Sequence, residues 1–255
     1  MSELPASKVL LPLYIYPHPG AWEPLYLCLN KHTRLQIIVI VNPDNGPGAE
    51  PWWPNEDYVR EVSRLSTYAN VTIVGYVHAT YCQRALPTVL DDVETYALRT
   101  GELNGQRIPN SLNLRGIFVD ETVNLYTEES KAWLDSVDCK VKSCRQFGPD
   151  GIVIHNPGTA VNPRLATPGP DVTVVVETSY EHFITEEYQD WLATSPYNRS
   201  QSCYMIHSVP IVEVQAFTKA LRKQAGHLFV TSATSGFYES WSPSWEAFIS
   251  GLDAS

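Results

Sequence analysis

The chain has 255 residues, with 18 Lys and Arg against 28 Asp and Glu, a formal net charge of −10. That balance excludes a basic nucleic-acid binder, which needs surplus cations for phosphates, and 44% hydrophobic with 11% aromatic residues excludes a disordered chain. Only 18% of residues are charged, while 14 Tyr, 7 Trp and 19 Pro are present, a composition suited to a polar but uncharged partner.

Strand signals open at residues 9–17 (VLLPLYIYP) and 36–43 (QIIVIVNP), followed by a turn cluster at 42–48 (NPDNGPG). A weak helical pattern covers 56–68, and 71–78 (VTIVGYVH) is the third strand. Residues 84–99 place Leu86, Val89, Leu90, Val93, Tyr96 and Ala97 on one helical face. A strand at 114–121 (LRGIFVDE) precedes a weak helix that starts at 128–133. The strand at 151–158 (GIVIHNPG) runs into a Pro-rich loop, 156–170. Then come a strand at 172–179 (VTVVVETS), a weak helix at 181–192 and a strand at 202–209 (SCYMIHSV). A helix at 211–225, a strand at 227–234 (HLFVTSAT) and a helix at 245–252 finish the chain. Most strands are continuous β-branched apolar runs, the pattern of parallel strands covered on both faces. Eight of them alternating with helices over this length predict one (β/α)8 TIM barrel spanning 1–255 as a single domain. A doubly wound open sheet is the alternative, but the first strand ends YPHPG, without GxGxxG.

No apolar run approaches the ~20 residues of a membrane span. The polar N-terminus lacks the features of a secretory leader, so a cytoplasmic chain is expected, or a secreted one if a leader has been removed. Five scattered Cys do not make a disulfide scaffold. The sequons at Asn70 and Asn198 are compatible with secretion.

In such a barrel the site forms where strands end. The residues there are Tyr16 and His18; Asn42 and Asn45; Tyr76, His78 and Tyr81; Asp120 and Glu121; His155 and Asn156; Glu177 and Tyr180; His207; and Tyr238. Carboxylates, amides, imidazoles and phenols with scarcely any cation read as a sugar site. Asp120, Glu121 and Glu177 are the candidate catalytic groups, because glycosidic cleavage needs one protonated and one ionised carboxyl, and crowding separates their pKa values. Alternation sends Asp120 and Glu121 to opposite faces unless the strand twists at its end. The other residues in that series are candidate sugar contacts. Trp22, Trp52, Trp53, Tyr81, Trp241 and Trp245 are candidate stacking platforms. Three His at one edge could bind zinc, but no HxH or HxxxH pair supports it. No metal, cofactor, nucleic acid or membrane partner is expected, and oligomeric state is not legible.

The blocks LLPLYIYPHPGAW, IIVIVNPDNGPG, VGYVHATYCQR and RGIFVDE, over residues 9–125, together resemble the spherulin-4 (spherulation-specific) family, with HNPG and VVVET a looser match. The resemblance implies a (β/α)8 glycoside hydrolase acting on galactosaminogalactan, an exopolysaccharide rich in α-1,4-linked N-acetylgalactosamine. It places the family's adjacent Asp-Glu on Asp120 and Glu121 and its later Glu on Glu177. In an α-linked N-acetylgalactosaminide the acetamido group is cis to the leaving oxygen, which blocks substrate-assisted attack. A carboxylate nucleophile or base is then required. The expectation is that Glu177 and Glu121 divide acid and nucleophile or base roles, with Asp120 positioning the sugar or tuning the pair. The rival readings are an acid–base enzyme of small-molecule biosynthesis and a catalytically silent carbohydrate-binding barrel.

Overall fold

The computed structural model describes residues 5–48, 55–98, 102–103, 106–107 and 112–253. Eight parallel strands close into a barrel: β1 (Lys8–Leu13), β2 (Ile37–Val41), β3 (Val71–His78), β4 (Gly116–Asp120), β5 (Ile152–His155), β6 (Val172–Ser179), β7 (Ser202–His207) and β8 (His227–Val230). They pair in chain order, and β8 returns to β1 with Val9 opposite Leu228. Separately, Glu102–Leu103 pairs antiparallel with Gln106–Arg107.

The apolar runs explain the closure. All five residues of β2, Ile-Ile-Val-Ile-Val, are buried between the barrel interior and the surrounding helices. Two glycines permit close approach. A Cβ on Gly75 of β3 would lie 2.7 Å from the Tyr96 ring, and one on Gly116 of β4 would lie 2.0 Å from the Ile152 carbonyl oxygen of β5.

The outer layer is α1 (Glu23–Lys31), α2 (Glu56–Leu65), α3 (Leu86–Leu98), α4 (Glu128–Ser143), α5 (Tyr180–Phe183), α6 (Glu186–Leu192), α7 (Val214–Leu221) and α8 (Trp245–Asp253). Helix α1 is absent from the sequence reading. It carries four buried side chains and a proline in its first turn. The weak signal at 128–133 opens a 16-residue helix, capped where the Ser130 N–H donates to Thr127. The helix expected at 181–192 breaks at Thr185, whose hydroxyl caps α6. That expected at 211–225 shortens because Ile211 and Val212 form an exposed turn. The Pro-rich segment between β5 and β6 is a loop holding one 3₁₀ turn, Pro163–Leu165. Among the described residues no helix is long and apolar enough to cross a membrane.

Candidate active site

The C-terminal ends of the strands carry a connected set of carboxylates and phenols. Asp120 is the last residue of β4. Its Oδ2 accepts from the Tyr76 hydroxyl at 2.7 Å; its Oδ1 accepts from the Glu121 N–H at 2.9 Å and from Asn156 Nδ2 at 2.8 Å. Glu177 on β6 accepts from the same Asn156 nitrogen at 2.6 Å and, through Oε1, from the Tyr238 hydroxyl at 2.6 Å. One amide nitrogen therefore bridges two carboxylates. Its orientation is fixed, because Asn156 Oδ1 accepts from the Gly158 N–H at 3.0 Å, leaving the NH2 end for the acids. Gly158 has a φ of +67°, a conformation glycine adopts freely, and its carbonyl accepts from the Glu177 N–H. The bridge is thus tied to the strands on both sides.

Burial pushes Asp120 above the usual carboxylate range, and the neighbouring Glu177 charge adds to it; the Tyr76 hydrogen bond opposes the shift. Burial likewise raises the Tyr76 and Tyr238 phenols, and the two carboxylates add to both shifts. These phenols stay protonated donors. Glu121 leaves β4 with a φ of +53°, which turns the chain where strand alternation would otherwise continue. Its charge reaches the Tyr76 phenol. Among the described residues no Lys or Arg is paired with Asp120, Glu121 or Glu177.

A model of the spherulation-specific family 4 matches residues 8–252. The chain belongs to that family. Spherulin-4 from Physarum polycephalum is 30% identical over 197 residues, 77% of this chain and 52% of the relative. The chain thus spans about half the length of that curated relative. The crystal structure of Aspergillus clavatus Sph3 in complex with GalNAc is 35% identical, covers 98% of both chains and superposes with a TM-score of 0.88. A family 18 chitinase, ChiB of Flavobacterium johnsoniae, shares the fold at 8% identity and a TM-score of 0.58.

The spherulation-specific chain arranges its other strand-end residues in three ways. Past the end of β2, Asn42 Oδ1 accepts from the Gly46 N–H at 3.1 Å and shapes the 42–48 turn. His78 Nδ1 donates to the Asn45 carbonyl at 2.7 Å. His207 stacks on Phe237 with centroids 4.1 Å apart. Burial lowers its pKa against the pull of the Glu177 charge. Tyr16 is already engaged, donating to Asp57 and accepting from Asn55 at the start of α2, with His18 tilted against its ring. Tyr81 is 60% exposed and its N–H donates to the Glu121 carbonyl at 2.7 Å.

Three of the strand-end residues are engaged with other side chains. His155 is buried and its Nε2 lies 2.7 Å from Asp138 on α4, so it faces the outer layer. Among the described residues no group of three His, Cys, Asp or Glu could hold a metal. Tyr180 donates to Glu213 and packs edge-on against Phe217 of α7, tying helices together. Asn156 is a bridge between acids, with both amide ends hydrogen-bonded. Of the proposed platforms, Trp22 and Trp245 are core residues and Trp241 donates to the Ala21 carbonyl; Trp52 and Trp53 lie outside the described residues. The sequon Asn70 is buried and donates to the Leu35 carbonyl. The sequence reading missed Trp191, 45% exposed and donating to Thr159, and Tyr14. Tyr14 is the first residue past β1, inside the run read as strand at 9–17, and its ring meets Tyr76 and Tyr238 while that of Tyr16 meets Tyr58.

Proposed function

We propose that this chain is a glycoside hydrolase that cleaves an N-acetylgalactosamine-containing polysaccharide of the galactosaminogalactan type. The observation that carries the reading is the Asn156 bridge. Two oxygens bound to one nitrogen at 2.8 and 2.6 Å lie no farther apart than those bonds laid end to end, about 5.4 Å. Retaining glycosidases hold their carboxyls about 5–5.5 Å apart, inverting ones about 6.5–9.5 Å. The GalNAc complex of the 35% identical relative supports the choice of sugar.

The reading assigns the reacting pair to Asp120 and Glu177, whereas the sequence expectation divided the acid and nucleophile or base roles between Glu177 and Glu121, with Asp120 in support. Asp120, pushed up by burial and by its neighbour's charge, gives its proton to the leaving oxygen. Glu177, oriented by the hydrogen bonds it accepts from Asn156 and Tyr238, attacks the anomeric carbon as the glycosidic bond breaks. Ionised Asp120 then takes a proton from water, and that water releases the sugar from Glu177. Glu121, on its left-handed turn, contacts the sugar from the rim.

The test is incubation with acetylated and deacetylated galactosamine polymers, sizing of the products, and NMR of the newly formed anomer. Expected are shortened acetylated chains, first released as the α anomer. Asp120→Asn and Glu177→Gln should each fall about 10³-fold or more in kcat while still binding polymer. Full activity in Glu177→Gln, or a β anomer formed first, would overturn the assignment.

A further inference from the structure

The donors around the carboxylate pair are committed. Tyr76 serves Asp120, Tyr238 serves Glu177, and both hydrogens of Asn156 lie between the two acids. Tyr14 stands between the two phenols. Its ring meets Tyr76 edge-on at 5.6 Å and 81°, and Tyr238 edge-on at 5.5 Å and 73°. Its backbone N–H donates to the Tyr238 carbonyl at 3.0 Å, which fixes the residue to the β8–α8 loop. Yet its hydroxyl makes no hydrogen bond among the described residues. Packing alone would be served equally by phenylalanine, as Phe118 shows by stacking on the same Tyr76 ring.

A sugar between two carboxylates can donate its hydroxyls to them. Its own acceptors, the ring oxygen and the acetamido carbonyl, need a donor in return. We propose that the Tyr14 hydroxyl is that donor and hydrogen-bonds an acceptor oxygen of the sugar bound between Asp120 and Glu177. Burial and the charges of both carboxylates keep the phenol protonated, so it stays a donor across the working range. The inference deepens the proposed glycosidase site and rests on it for the cleavage readout only.

Tyr14→Phe tests it, because the variant keeps both ring contacts and loses one O–H. Calorimetric titration with free GalNAc reads the contact without any cleavage. Binding should weaken about 3–10-fold, the span of one neutral hydrogen bond, and kcat/KM on the polymer should fall about 10–100-fold. The thermal midpoint and the pH limbs of kcat/KM should stay in place, whereas Tyr76→Phe, which removes a hydrogen bond that lowers the Asp120 pKa, should move the alkaline limb to higher pH. Unchanged GalNAc affinity in Tyr14→Phe overturns the inference even if the enzyme cleaves polymer. Weakened GalNAc affinity with no cleavage by the wild type upholds the inference and overturns the proposed activity instead. Failure of the wild type to bind GalNAc overturns both.

Discussion

At the scale of single residues, Asp120 is held against its own preference. Burial raises its folded pKa above the value in the unfolded chain, so ionising it costs stability. Its contribution is greatest below the unfolded Asp range, about pH 4, and is lost as pH rises through the folded value. Asp120→Asn does not ionise, and its amide can keep Oδ1 as the acceptor while Nδ2 meets the Tyr76 oxygen. The variant should therefore be inactive yet increasingly more stable than wild type as pH rises from 4 to 7, read as the difference in thermal midpoint. A constant difference across that range would refute the buried-acid reading. Asn156→Ala leaves Asp120 titratable and changes where it titrates. Losing the Asn156 hydrogen bond, which lowers the Asp120 pKa, raises that pKa further, so the alkaline limb of kcat/KM should move to higher pH, with kcat down about 10²-fold. The three carboxylates were legible because acids ending buried runs have nowhere else to go. The bridge was not, since Asn156 and His155 are neighbours in sequence and alternation sends one to the acids and the other to Asp138.

Among the elements, the turn after β3 carries the clearest strain. Thr80, Tyr81 and Cys82 have φ of 48°, 52° and 62°, three consecutive non-glycine residues in the left-handed region, each costing about 1–2 kcal/mol. Hydrogen bonds hold the turn in place: the Ala79 N–H donates to the Asp120 carbonyl and the Tyr81 N–H to that of Glu121. An exposed ring kept beside the acids by such a turn is the natural stacking surface for a neighbouring sugar. Tyr81→Ala should raise KM about 5–10-fold with little change in kcat, and Tyr81→Trp should restore it. The thermal midpoint should barely move, because the ring is 60% exposed. A fall in kcat alone would place Tyr81 elsewhere in the mechanism. The sequence announced the strands here but not the turn, for Ala-Thr-Tyr-Cys holds no Gly or Asn to mark positive φ. The same limit hid the exact strand ends. The runs at 9–17, 114–121 and 227–234 all peel off early, since their last residues leave the ladder for the barrel mouth.

For the whole molecule, closure and catalysis are one geometric problem. The charges show this first: Arg60, Arg64, Lys140, Lys142 and Arg164 pair with acids on the outer surface. The mouth keeps its carboxylates, tempered by phenols and an amide and not by cations. Barrel register then decides whether Asp120 on β4 and Asn156 just past β5 come within hydrogen-bond reach. β4 and β5 pair Gly116 with Ile152 and Val119 with His155. A Cβ at Gly116 would sit 2.0 Å from the Ile152 carbonyl oxygen and 2.6 Å from its nitrogen, both rigid backbone. Gly116→Ala must therefore part the two strands at one end, four residues below the acid. It should cost about 3 kcal/mol or more, lowering the thermal midpoint by about 6–12 °C in a domain of this size. Any folded fraction should lose activity out of proportion to its GalNAc affinity, because the Asp120–Asn156 bond lengthens while the phenols stay put. A Gly116→Ala protein with wild-type kcat and midpoint would show that the bridge tolerates a shift in register, and the argument from a shared nitrogen to a retaining mechanism would lose its footing.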